Sequence, residues 1–518
     1  MNNKTNYLLT FTTNFTGILI SMLVGFISIP ISLNYWKSER YSIWALVTSI
    51  LIYLSVTNLG LNSAANVLIA KNSKFEDKIK IFKRALVFLI LSVTLGLIIF
   101  LVVNYFNKDW IFILGKIPQN LKSETYYSCL VFGIFFFINM PFSLLGSVFN
   151  GFQKAYIENV FSIVQTIFTF LSLLLTIKLK GNLVTYAFCN GSTTVVLNLI
   201  KMAIFYKIIY KKVYFNSLCT DLKNYNNDTS YKHIFITGIR FFSVGMAAII
   251  VWNTDNFVIS NFIGLKEVAP FFVTFKMYTI LFSLITIINS SIMPIIGKEL
   301  AYNNFEWINS VYSKLFVIAE TIGGLTWLGG LLFLRDIITL WSGKESYAGI
   351  VVVFALGGYS YLFSMVNLNS GILTAMNYIK GYEIMGWFEA VLNIGLSIFL
   401  IKYFSIGGVA IGTFLGSLLS PTWILPFWIV KRSNKRIKYN LSFVLKHFGF
   451  IILPLLMLGL IVQNYVSGIY GRVLIGILIC IIYIVLSIII IPKEKKNFFI
   501  KTFLSFFKKF DLLKCHTK

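Results

Sequence analysis

The residues best suited to chemistry are seven polar groups set inside long apolar runs: Asn14, Lys201, Arg240, Asp255, Lys276, Glu320 and Glu389. A charge at the centre of a hydrocarbon layer costs at least roughly 2.5–3.5 kcal/mol, so such groups face a wet cavity or a partner. At ~1.5 Å of rise per residue, Arg240, Glu320 and Glu389 lie roughly 9–10 Å in from one end of their runs. Asp255 and Lys276 lie about 12 Å in from the opposite ends of theirs. The cations Arg240, Lys276 and Lys201 are suited to hold an anionic substrate, with Asn14 in the same binding set. The acids Asp255, Glu320 and Glu389 are suited to couple a proton or sodium ion. Structural alternatives stand beside these readings. Arg240 and Lys201 have stems long enough to snorkel to the surface. Asp255 and Lys276 share a depth on consecutive runs, which fits a structural ion pair. Arg240 and Asp255 do not pair, because ~22 Å of helix rise separates them.

Other chemistries find no support. The five cysteines (Cys129, Cys189, Cys219, Cys480, Cys515) and three histidines (His233, His447, His516) are scattered. Nothing resembles a metal cluster, a disulfide framework or a redox motif, so no cofactor or metal is expected. No histidine falls in the middle of an apolar run, which argues against a membrane acyltransferase.

These groups must be positioned by membrane helices. The chain is 57% hydrophobic and 12% charged, against roughly 25% charged in a soluble domain. Apolar runs of about 20–30 residues match a hydrocarbon core of ~30 Å. They are too long and too uniformly apolar for barrel strands. The expected architecture is an all-α polytopic membrane protein with about fourteen spans: 8–34, 41–69, 85–106, 126–149, 157–177, 182–207, 234–263, 268–297, 313–334, 347–376, 383–403, 407–430, 447–467 and 471–491. The first run is too long for a signal-peptide core and is read as a retained span.

A net charge of +26 would point to nucleic acid if it lay on one domain face, but the charges sit between the spans. With the N-terminus in the cytoplasm, 31 Lys and Arg residues fall on the cytoplasmic side and 12 on the other. The positive-inside rule then puts both ends in the cytoplasm. The expected organisation is an N-terminal lobe over 1–210, an inter-lobe loop over 211–233, a C-terminal lobe over 234–430, two further helices over 431–491, and a basic tail over 492–518. In the tail, Phe499, Phe503, Phe506, Phe507 and Phe510 alternate with lysines, as in a helix lying on a lipid leaflet.

Two passages resemble each other at an offset of 224 to 225 positions. Phe149-Asn150-Gly151-Phe152-Gln153-Lys154 leads to Leu183-Val184-Thr185-Tyr186-Ala187. Leu373-Thr374-Ala375-Met376-Asn377 and Lys380 lead to Gly408-Val409-Ala410-Ile411-Gly412. Gln165 and Glu389 occupy equivalent places. Two similar apolar halves suggest a transporter built from internal repeats, its pathway between the halves. The first span adds a stripe of Gly17, Ser21, Gly25, Ser28 and Ser32 on one helical face. That stripe fits either a polar cavity wall or close helix packing.

The passages Tyr41-Ser42-Ile43-Trp44-Ala45-Leu46, Thr57-Asn58-Leu59-Gly60-Leu61-Asn62-Ser63-Ala64, Thr254-Asp255-Asn256 with Gly264, and Ile338-Thr339-Leu340-Trp341-Ser342-Gly343 resemble the polysaccharide-exporter family. This family belongs to the multidrug/oligosaccharidyl-lipid/polysaccharide (MOP) exporter superfamily. Asn58 stands where the family often has an acid. The resemblance implies two lobes of bundled helices in a MOP-like fold. It implies a flippase, not an enzyme, for undecaprenyl-pyrophosphate-linked repeat units of O-antigen or capsule in a bacterial cytoplasmic membrane. It further implies alternating access driven by a cation gradient, with Arg240 and Lys276 as cationic candidates. Expected partners are the lipid-linked glycan, membrane lipids, a polysaccharide polymerase and a chain-length regulator, and no nucleic acid. The rivals are a lipid II or multidrug exporter of the same superfamily and, further off, an O-antigen polymerase or acyltransferase.

Overall fold

Four consecutive polar residues, Lys37 to Arg40, interrupt the first apolar stretch, and the helix breaks there. Lys37 adopts φ 61° and ψ 173° inside the helix Asn3–Leu54 (α1). Arg40 ends in an ion pair with Glu124 at 3.0 Å, and Glu39 pairs with Lys266 at 3.4 Å. The computed structural model describes residues 3–72, 74–107, 110, 111, 114–210, 230–376 and 378–490. The expected amphipathic tail and most of the inter-lobe loop lie outside the described residues.

After α1 come α2 (Leu61–Lys71), α3 (Phe75–Phe106), α4 (Lys122–Asn139), α5 (Ser143–Gly151), α6 (Ala155–Lys178), α7 (Leu183–Phe205), α8 (Tyr231–Phe262) and α9 (Val268–Ala301). Then follow α10 (Phe305–Ser342), α11 (Ile350–Ala375), α12 (Ile379–Phe404), α13 (Ile406–Leu419), α14 (Pro421–Arg432), α15 (Leu441–His447), α16 (Leu453–Tyr465) and α17 (Ile469–Ile490).

Twelve helical segments among the described residues are long and apolar enough to cross a membrane. The protein is therefore a multi-pass membrane protein. The first segment, Leu9–Asn58, has 50 residues, or about 75 Å of helix. Broken at Lys37, it is long enough for two crossings of a ~30 Å core. The 34-residue α9 is a further long apolar helix. The count of twelve by length and hydropathy thus stands beside the fourteen expected.

The apolar run over 41–69 is not one helix. It passes through a 3₁₀ turn at Ser55–Asn58, and then Leu59 (φ 50°) and Gly60 (φ 68°) adopt left-handed conformations before α2 starts. A side chain at position 60 would lie 2.2 Å from the Gly238 carbonyl oxygen on α8. Glycine is needed there both for φ and for the close approach of the two backbones. The run over 407–430 likewise divides, between Ser420 and Pro421, where proline has no N–H to continue the preceding helix.

The chain forms two compact units, Met1–Phe272 and Val273–Lys518, with α9 beginning in the first. In the first unit Leu61, Leu68, Ile69, Phe82, Leu89 and Phe149 form a core from α2, α3 and α5. Trp44 meets both Phe132 and Tyr186 within 5.3 Å between ring centroids, tying α1 to α4 and α7. In the second unit α10 and α11 are the central helices, and Tyr312, Leu328, Leu332, Leu368 and Ile372 are sealed in its core. Small residues permit close approach here as well. A side chain at Gly408, Gly412 or Gly416 of α13 would meet α12 at Leu400, Ser397 or Asn393 within 3.2 Å.

Candidate functional site

In the first unit the small-residue stripe of α1 is partly a packing face. A side chain at Gly17 would touch Ile163 of α6 at 3.3 Å, whereas position 25 has open space around it. Ser21 and Thr166 hydroxyls lie 3.4 Å apart. Asn14 sits on this helix, partly accessible. At the preceding residue, Asn159 of α6 donates to the Thr13 hydroxyl at 3.1 Å.

Lys201 of α7 is buried and committed to a carboxylate. Its Nζ lies 2.7 Å from Glu158 Oε2 and donates to Oε1 at 2.9 Å. Glycine at position 146 on α5 makes room for that carboxylate, which a Cβ there would approach to 2.6 Å. Glu158 escaped the sequence reading because it lies in the first turn of its helix, where an acid ordinarily faces water.

Arg240 differs. It lies nine residues into α8, about 13 Å from its start. The α8 residues Ile234, Gly238, Ala247 and Val251 are buried, but Arg240 is exposed. No carboxylate among the described residues pairs with it. Asp255 of the same helix is buried, at 3% exposure, in a polar patch shared with α1. Around it, Tyr53 and Thr254 share a hydrogen bond at 2.6 Å, and Asn256 donates to Ser49 at 3.0 Å.

In the second unit Lys276 is exposed along α9, next to the buried Met277 and Tyr278. Glu320 and Glu389 take different partners. Glu389, on α12, is half-buried beside the Ser417 hydroxyl of α13. On the same face, one turn on, Asn393 is buried and neither of its amide atoms has a hydrogen-bond partner among the described residues.

Glu320, at the middle of α10, has no exposure. Its Oε1 accepts from the Tyr361 hydroxyl of α11 at 2.5 Å and lies 3.3 Å from His447 Nδ1. His447 Nε2 reaches the Ser487 hydroxyl of α17 at 3.0 Å. No histidine was expected in the middle of an apolar run; His447, the first residue of the expected span 447–467, is nonetheless fully buried. The hydropathy run starts at 447, but the helix starts six residues earlier, at Leu441. The exposed Lys446 just before His447 marks a polar edge of the run and hid the imidazole's depth. Arg472 falls at the start of the last expected span, 471–491. In the structure it forms a two-pronged ion pair with Asp336 of α10, at 2.6 and 3.0 Å, and donates to the carbonyls of Val466 and Ser467.

These residues offer an exposed cation on each of α8 and α9, a sealed carboxylate–imidazole network, and acids on three separate helices. Among the described residues no group of three His, Cys, Asp or Glu side chains is placed to hold a metal ion.

The chain is similar to known proteins over most of its length. Proteins named "Putative O-antigen transporter" in Salmonella typhimurium and Salmonella typhi are 22% and 21% identical to it; the alignments cover 79% and 80% of this chain and 93% of each relative. Among solved structures, the lipid II flippase MurJ in an inward closed conformation aligns with a TM-score of 0.67 at 15% identity, covering 92% of this chain and 98% of that one. An inward-facing multidrug resistance transporter of the MATE family aligns with a TM-score of 0.63 at 16% identity, covering 84% and 96%. These likenesses establish a MOP-type fold. A family described as polysaccharide biosynthesis protein matches residues 10–299, more than half of the chain. The protein belongs to that family.

Proposed function

We propose that this protein moves undecaprenyl-pyrophosphate-linked repeat units of O-antigen or capsule across a bacterial cytoplasmic membrane by alternating access, coupled to a cation gradient. The observation that carries the reading is Arg240. A guanidinium held about 13 Å along an apolar helix, exposed and without a carboxylate partner among the described residues, is costly unless it serves an anion. A planar fork of N–H donors suits a diphosphate. An anion-binding arginine also favours a lipid-linked diphosphate over the cationic drugs expected of a multidrug exporter. The family match and the named relatives support the glycan class.

In this reading Arg240 binds the diphosphate, and Lys276 and Asn14 are further substrate-binding residues. Lys201 contributes through its ion pair with Glu158. Asp255, Glu320 and Glu389 are the coupling acids. The lobes over 1–210 and 234–430 are the moving bodies, both termini face the cytoplasm, and a polymerase and chain-length regulator take the product. The test is deletion of the protein from its own cell. Expected are loss of polymerised surface glycan and a build-up of single lipid-linked units on the inner leaflet. Normal polymer with blocked lipid II or drug export would overturn the glycan reading in favour of its rivals.

A further inference from the structure

The Glu320 network sits where an apolar core would ordinarily exclude ionisable groups. We infer that Glu320 and His447 form a proton-exchange site that opens toward the face bearing Lys431, Arg432, Lys435, Arg436 and Lys438. This rests on, and deepens, the coupling role proposed for Glu320: it names the ion as a proton and adds a histidine to the site.

The argument begins with hydrogen-bond valence. Both bonds to the carboxylate, from Tyr361 and His447, converge on Oε1. Oε2 is buried and has no partner among the described residues. It is the open position of an otherwise connected chain that runs from Ser487 through His447 and Glu320 to Tyr361, across four helices. A buried carboxylate retains such an open lone pair only at a cost, unless a proton or water reaches it.

A path for that proton exists on one side. A crevice with room for about one water molecule lies between α10 and the start of α15. Its polar mouth is formed by Ser313, Lys438 and Asn440, and its inner wall by Phe316, Val317 and Phe443. Phe316 and Val317 lie one helical turn before Glu320. Phe443 lies one turn before His447 and stacks on its imidazole, with ring centroids 5.6 Å apart and planes 10° apart. The crevice therefore ends about one turn, ~5 Å, short of the pair. The basic loop at its mouth assigns that face to the cytoplasm by the positive-inside rule.

The other ionisable groups facing the pair are the phenols of Tyr361, Tyr439 and Tyr483, with the Cys480 thiol beside Tyr483. Phenols and thiols ordinarily keep their protons at neutral pH. The pair's own protons are thus the ones that change. With one proton between them the network is neutral, either as carboxylate with imidazolium or as carboxylic acid with imidazole. A hydronium arriving through the crevice places a second proton on Oε2 and leaves water behind. The result is a carboxylic acid beside an imidazolium, with the network carrying one positive charge. Release reverses the step. The two protons titrate as a coupled pair, so their midpoints belong to the site rather than to either residue.

The chain has three histidines, which makes direct observation practical. The full-length protein, labelled with ¹⁵N-histidine and held in lipid nanodiscs, is titrated over roughly pH 5 to 9, the range of imidazole chemistry. His447→Gln assigns the signal. Expected is a protonation change at His447 whose midpoint moves by about tenfold in proton affinity in Glu320→Gln and by less in Ser487→Ala. A His447 signal fixed in one protonation state across the range in the wild-type protein overturns the proposal. Ser487→Ala leaves the Glu320–His447 contact intact, so a shifted midpoint remains readable if Glu320→Gln misfolds. Glycan export in the same variants separates this inference from the functional one. A titrating His447 with normal export in Glu320→Gln keeps the site and removes its coupling role. A silent His447 with export lost on deletion removes the site and leaves the export reading standing.

Discussion

The two units hold buried charge in opposite ways. In the first, Lys201 is the sealed partner, with 7% of its side chain accessible, while Glu158 keeps 29%. In the second, both Glu320 and His447 are at zero. The first pair is a close, bidentate contact at 2.7 and 2.9 Å; the second is a single contact at 3.3 Å shared with a tyrosine hydroxyl. The difference teaches what each can do. An ammonium at 2.7 Å from a carboxylate that reaches water is a fixed element of packing, because either partner alone is worse off. A carboxylate and an imidazole can remain neutral by moving one proton between them, so the second pair tolerates a sealed core without a permanent charge.

The comparison is tested most severely at a third pair, at the far end of α10. Arg472 and Asp336 are nearly as buried as Glu320, with 7% and 9% side-chain exposure, yet arginine does not give up its proton. Arg472→Met strands the Asp336 charge and frees two carbonyls at the end of α16. Removing one member of such a pair costs about 3–5 kcal/mol. Unfolding of the purified protein in detergent is the measurement, and a loss below about 1 kcal/mol would place the pair among surface salt bridges. The next effect is asymmetric. Glu158→Ala leaves a buried ammonium and should destabilise by about 2–3 kcal/mol, reduced from the full buried-pair figure because the carboxylate is partly solvated. Lys201→Ala leaves an acid that reaches water and should cost about 1 kcal/mol. Equal losses in the two variants would erase the distinction between sealed and accessible partners.

How much of this was legible depends on what hydropathy measures. Run length gave the helices, and the polar stretch at Lys37 gave the first break. The second break was written in Asn58, Leu59 and Gly60, but an apolar run over 41–69 reads as continuous because a left-handed residue leaves no mark on hydropathy. Glu320 and Lys201 were legible as charges out of place. Their partners were not, because Glu158 lies in the first turn of its helix and His447 at the edge of its apolar run, where the sequence shows a polar boundary rather than depth. Pairing depends on helix rotation and on which helices are neighbours, and neither follows from one span at a time. The glycines of α13 show the same limit. Their spacing of four predicts a close helix contact, but not that α12 presents Asn393 and Ser397 to it.

The smallest effect on stability is expected at the residue with the largest proposed effect on function. Arg240 is exposed and has no ion pair among the described residues, so Arg240→Ala removes no buried partner and should change stability by at most about 0.5 kcal/mol. If the guanidinium binds a diphosphate, the same variant should lose glycan export in a deletion strain while its amount in the membrane stays at the wild-type level. Arg240→Lys keeps the charge but loses the fork of paired donors, and should restore export only in part. Immunoblotting of membranes and the surface-glycan ladder measure the two quantities in one culture. Full export in Arg240→Ala would show that this cation only snorkels to a headgroup, and the contrast would then shift: both units would use their membrane charges for architecture, and only the protonatable pair on α10 and α15 would be left to act.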